Sequence, residues 1–160
     1  MRRTTCLLLL LLLYAVPALA RAQASGSSRV TMRLLPAISV TGTQDLDFGT
    51  IAATQVVAVA ARNGGRFTIQ GTSNTPVLIE FTALPSALGP NLALSAWTGL
   101  ANTAPGSGGA IAFVPVAGGT RSAALASNGR YFLWLGATLT AANATPGTYS
   151  VPVVITVVYN

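Results

Sequence analysis

Histidine is absent from this 160-residue chain, cysteine occurs once, and the acids number three. Each shortage excludes chemistry. Without His, and with the single cysteine at Cys6, most metal sites and the usual nucleophile–base pairs lack their side chains. Asp45 and Asp47 stand two residues apart. A carboxylate pair can hydrolyse glycosides, and with loop oxygens it can hold Ca²⁺, but Asp-x-Asp more commonly flanks a turn and accepts backbone N–H groups. The expectation is no catalytic residue, no metal and no cofactor, so no enzyme. Heptads, long stretches of helical period and internal repeats are missing as well.

The first 24 residues have the pattern of an export signal. Arg2 and Arg3 open it, Leu7 to Leu13 form an apolar run too short to span a bilayer as a helix, and small-residue sites follow. Cleavage is expected after Ala24, with Ala20 and Ala22 as alternatives. Cys6 leaves with the signal, so residues 25–160 hold together without a disulfide. Arg29, Arg33, Arg62, Arg66, Arg121 and Arg130 then face Asp45, Asp47 and Glu80, a net charge of +3. These arginines are scattered rather than clustered on one face, which argues against nucleic acid.

What the chain does have is short runs of Val, Ile, Thr and aromatics separated by Gly, Pro, Asn and Ser. That spacing predicts an antiparallel β-sandwich, with strands over 37–41, 55–60, 66–70, 76–82, 92–96, 110–116, 130–140 and 148–159. In RFTIQ, Phe67 and Ile69 share a face; in VLIEF, Val77, Ile79 and Phe81 do. Turns are predicted at Asn63-Gly64-Gly65, Ser127-Asn128-Gly129 and Thr145-Pro146-Gly147. The segment 99–109, GLANTAPGSGG, reads as a long surface loop. Trp134 lies inside YFLWLG and is expected in the core, whereas Trp97, just before that loop, is the candidate for ligand binding.

The two ends carry the strongest pattern. In YSVPVVITVVY, Val151, Val153, Ile155, Val157 and Tyr159 occupy one face, and Val154 and Val158 make the other apolar too. Such a strand is expected deep in a sheet, paired on both sides; as a free edge it is a template for association. Near the start, Val30, Met32 and Leu34 alternate with Arg29, Thr31 and Arg33 after a Ser/Gly lead. Residues 25–36 therefore form a donor-strand candidate, with 37–160 as the sandwich domain. One copy's donor would lie beside the last strand of another. Burying its three apolar side chains is worth about 5–9 kcal/mol gross. The alternative is one strand over residues 29–41, bent at Pro36, in a self-complete monomer.

DLDFGTI (45–51) and GTYSVPVVITVVYN (147–160), with its turn, alternating strand and penultimate tyrosine, resemble the spore coat protein U-like family and its relatives, the pilin subunits of archaic chaperone–usher systems. LGATLTA ahead of the PGTY turn is similar to related bacterial secreted domains. The resemblance implies an immunoglobulin-like antiparallel sandwich lacking one strand, exported to the periplasm and then placed in a fibre on the cell surface. It implies three kinds of partner: other copies or related pilins, a periplasmic chaperone and an outer-membrane usher. Val30, Met32 and Leu34 would fall in the donor, and Val153, Ile155, Val157 and Tyr159 in the last strand lining the acceptor groove. The chain departs from many such pilins in lacking a cysteine near the first strand. Two other classes compete: a stand-alone secreted sandwich binding a glycan through Trp97, and a small outer-membrane barrel, which also ends on an apolar strand with a terminal aromatic.

Overall fold

Strand β9 (Arg130–Ala141) organises the protein. Its alternate residues Tyr131, Leu133, Leu135, Ala137, Leu139 and Ala141 are all buried on one face, while Phe132 and Trp134 are buried on the other. A strand apolar on both faces must lie inside a sheet, and β9 has neighbours along both edges. The computed structural model describes Arg29, Thr31, Met32 and residues 34–160. On one side β9 pairs with β6 (Leu92–Asn102). On the other it pairs first with β3 (Gly65–Gln70) and then with β2 (Val56–Val59).

The first sheet is completed by β1 (Ser39–Gln44) against β3, and by β5 (Ala87–Gly89) and β7 (Ile111–Phe113) against β6. A second sheet has the order β10 (Val154–Tyr159), β4 (Pro76–Ala83), β8 (Thr120–Ala124). Every pairing is antiparallel. The fold is therefore all-β and sandwich-like, with its sheets curled into a half-barrel.

Between the sheets, Ile69, Leu133 and Leu135 meet Val77, Ile79, Phe81 and Val157. Burial of each large side chain stabilises by about 1.5–3 kcal/mol. Farther along the same face of β9, Ala137, Leu139 and Ala141 pack with Leu92 and Leu94, and there Leu46, Phe48, Ile51 and Tyr149 provide the cover instead of a strand. On the outer face, Phe132 and Trp134 pack with Ala61. The Arg66 guanidinium lies 5.4 Å from both ring centroids and donates to the Pro105 carbonyl at 2.7 Å. That arginine is a cation–π clamp, and it ties the loop after β6 to the sheet.

Several expectations need correction. Gly99–Asn102 belong to β6 rather than to a loop, and Ala101 is fully buried. Their glycine and small residues allow the Phe113 ring to lie directly over Gly99, so composition that resembled a loop is close packing. Strands β5 and β8 were not anticipated, because neither ALG nor TRSAA has a marked apolar alternation. The ladder at the end of the chain begins at Val154, not at residue 148, since β4 offers it no partner beyond Ala83. The first ladder begins at Ser39. Met32 and Leu34 lie in no strand and are 79% and 81% exposed, so the long bent strand over 29–41 is not formed among the described residues. Residues 1–28, Val30 and Arg33, which include the expected signal and part of the donor-strand candidate 25–36, lie outside the described residues.

Where the neighbour of β9 changes from β3 to β2, the chain makes a 3-10 turn at Ala61–Asn63 opposite Gly136. A Cβ on Gly136 would collide with the backbone of Val59, Ala60 and Ala61. Backbone cannot yield as a side-chain tip does, and overpacking costs about 1–3 kcal/mol or more. Gly136→Ala should lower the unfolding free energy by about 3 kcal/mol in urea denaturation; a change under about 0.5 kcal/mol would show that the turn is not packed against β9.

Candidate functional site: an unpaired strand edge and its groove

Among the described residues, two strand edges stay unpaired on one side of the sandwich. β1 pairs only with β3, and β10 only with β4. The expectation that the last strand is paired on both sides is therefore corrected: among the described residues it is an edge. Its alternation is nevertheless as the pattern requires. Val157 is buried, Val153, Ile155 and Tyr159 pack against the core in half-buried positions, and Val154 and Val158 face out at 42% and 50% exposure.

The edge also carries free main-chain groups. The Asn160 N–H donates to the Pro76 carbonyl at 3.1 Å. Main-chain groups alternate sides along a strand, so those of Val158, opposite Leu78, point toward β4. Those of Val157 and Tyr159 then point away, along the open edge. An exposed row of this kind is a template for another strand.

Beside β1, and ending on Val153 just before β10, lies a groove of about 1140 Å³. Its floor is the half of the first sheet that the second sheet does not reach, with Leu94, Leu135 and Leu139 among the lining residues. Residues 44–53 form part of its wall, and 144–153 another part, ending on Val153 just before β10. In that second wall the Tyr149 hydroxyl donates to the Thr145 carbonyl at 2.8 Å, and its ring lies against Gly89, where a Cβ would stand 2.6 Å from a ring carbon.

Trp97 enters the groove because of a bulge. Ser95 pairs with Thr138 and Thr98 with Gly136, so Ala96 and Trp97 together oppose Ala137. One extra residue reverses the phase of the strand: Leu92 and Leu94 face inward before it, Trp97 and Ala101 after it. Ala96 takes φ 47° to make the bulge, a left-handed conformation that costs a non-glycine residue about 1–2 kcal/mol. The half-buried indole thus lines the groove and touches both apolar clusters, rather than standing on a surface loop. Sequence reasoning singled out Trp97 but not its direction, which only the register sets.

Asp45 and Asp47 are exposed at the rim. Asp47 Oδ1 accepts the Gly49 N–H at 2.8 Å, and Gly49 has φ 68°, so this carboxylate shapes a turn. Phe48, between them and the glycine, packs on Leu92 and its neighbours. Among the described residues no three His, Cys, Asp or Glu side chains converge as metal ligands, and no helix is long and apolar enough to cross a membrane. Of the donor residues, Met32 and Leu34 are solvent-exposed, while the last-strand residues Val153, Ile155, Val157 and Tyr159 sit together on one face. No family model, curated protein or solved structure matches this chain.

Trp134 is buried on the outer face and Trp97 half-buried in the groove, so the two indoles report different places. A synthetic peptide of residues 25–35 added to the chain should shift the tryptophan emission to the blue, and Trp97→Phe should abolish that shift. Persistence of the shift in the Trp97→Phe variant would place the peptide elsewhere.

Proposed function

We propose that this protein is a structural subunit of a bacterial surface fibre, built by strand addition rather than by chemistry. The open edge of β10 and the groove beside it accept an extended segment from another copy or a related subunit, and residues 25–36, with Val30, Met32 and Leu34, are the segment this copy donates. In line with the resemblance of DLDFGTI and the closing strand, export to the periplasm, a chaperone that fills the groove in transit and an outer-membrane usher that exchanges it complete the route. The product is exposed on the cell surface.

One observation carries the proposal: the strongly apolar last strand is an edge among the described residues, and a groove of about 1140 Å³ ends on Val153, immediately before it. Left empty, that arrangement exposes apolar surface and unpaired donors and acceptors at once. A strand laid there gains a ladder along β10 and apolar contacts from alternate side chains. The exposure of Met32 and Leu34 leaves those side chains available.

A second reading rests on the aromatics of the same groove. Trp97, Phe48 and Tyr149 line it together, which suits a stand-alone module that binds a ligand. The two differ in their dependence on the amino-terminal segment. Under the fibre proposal, the chain from residue 25 forms concentration-dependent multimers in sedimentation velocity, and a variant lacking residues 25–35 stays monomeric with an unchanged far-ultraviolet β spectrum. Multimers of equal size from the shortened chain would remove the donor role. A heat-resistant monomer from both would favour the stand-alone module.

A further inference from the structure

The penultimate tyrosine makes contacts that strand acceptance does not require. Its hydroxyl donates to the Pro36 carbonyl at 3.0 Å and accepts the Thr72 N–H at 2.9 Å, with the Thr72 hydroxyl 3.3 Å away. Gly71 makes room for it: a Cβ there would lie 2.6 Å from the phenol oxygen. One side chain of β10 is thus bonded both to the turn after β3 and to the chain just before β1. Among the described residues, no other side-chain hydrogen bond joins the last strand to the approach of β1.

Spacing gives this contact a consequence. Paired strands lie about 4.8 Å apart, so two edges that flank an inserted strand stand about 9.6 Å apart. Cα atoms of β1 and β10 come within 8 Å of each other, too close for a strand between them at that point. The groove is lined by Gly42, Gln44 and Val151–Val153, and it does not extend to Ser39, Val157 or Tyr159. It stops short of the end that Tyr159 bridges.

We propose that the Tyr159 hydroxyl is a latch: it holds the unpaired edges of β1 and β10 together at one end of the groove, and an entering strand completes its ladder only after the bonds to Pro36 and Thr72 have opened. This deepens the strand-acceptor proposal and rests on it. The latch slows filling of the groove and keeps the empty subunit from pairing at random along β10.

The test uses the chain from residue 25 and a fluorescent peptide of residues 25–35, with association followed by anisotropy. Tyr159→Phe keeps the ring and removes the bonds. It should take up the peptide about thirtyfold faster, the factor expected for releasing two neutral hydrogen bonds. Equal or slower uptake by the variant, with binding to the unaltered chain intact, overturns the latch and leaves the acceptor standing. Binding to neither overturns both. Hydrogen exchange on the unaltered chain provides a check independent of the variant's folding: saturation with peptide should deprotect the Thr72 amide, and unchanged protection overturns the latch.

Discussion

A mismatch in length governs this structure. The buried face of β9 runs from Tyr131 to Ala141, but the second sheet covers only the part near Ile69, Leu133 and Leu135. The rest of that face, from Ala137 onward, must be shielded by residues that form no ladder above it, among them Leu46, Phe48, Ile51 and Tyr149. Close packing of side chains without a covering strand leaves backbone edges unpaired. The groove follows from that one shortfall, while strand order leaves β10 an edge and the bulge at Ala96 turns Trp97 inward.

The opposite side of the sandwich is closed by side chains. Phe113 lies over Gly99 and 5.6 Å from the Phe81 ring, and the Arg121 guanidinium caps it at 4.6 Å from the centroid. Phe81 exchanges backbone bonds with Gly118 and Gly119, which draws the chain before β8 onto β4. Arginine therefore serves as packing in two places, Arg66 over Phe132 and Trp134 on the outer face of the first sheet and Arg121 over Phe113 on this flank. The stacked guanidinium covers apolar rings while its edge stays polar.

The openness is bounded at the far end by Tyr159. An edge strand with a wholly free main chain would pair with any extended segment. A single phenol bonded to Pro36 and Thr72 ties the far end of β10 to the chain before β1 and to the turn after β3. Under the proposed function, the same terminal tyrosine that marks the end of the strand in the sequence also sets how readily the groove opens.

Much of the framework was legible from period-2 patterning, because a strand with one buried face must alternate. Phe67 and Ile69, Val77, Ile79 and Phe81, and Val153, Ile155 and Val157 all point as their spacing implies. The same pattern predicted a strand around Met32 and Leu34 that is not formed among the described residues, since alternation marks a segment fit to pair but does not provide a partner. Three features had no local signal: the weakly apolar β5 and β8, the bulge at Ala96, and the loss of pairing before Val154. Composition and alternation by themselves determined that the chain is all-β and which faces are apolar, because those depend on residue type and spacing. Tertiary structure alone decided that β10 is an edge, that Trp97 faces a groove and that Tyr159 bridges to Pro36, because strand order, register and the reach of one sheet over another arise from contacts between segments far apart in the chain.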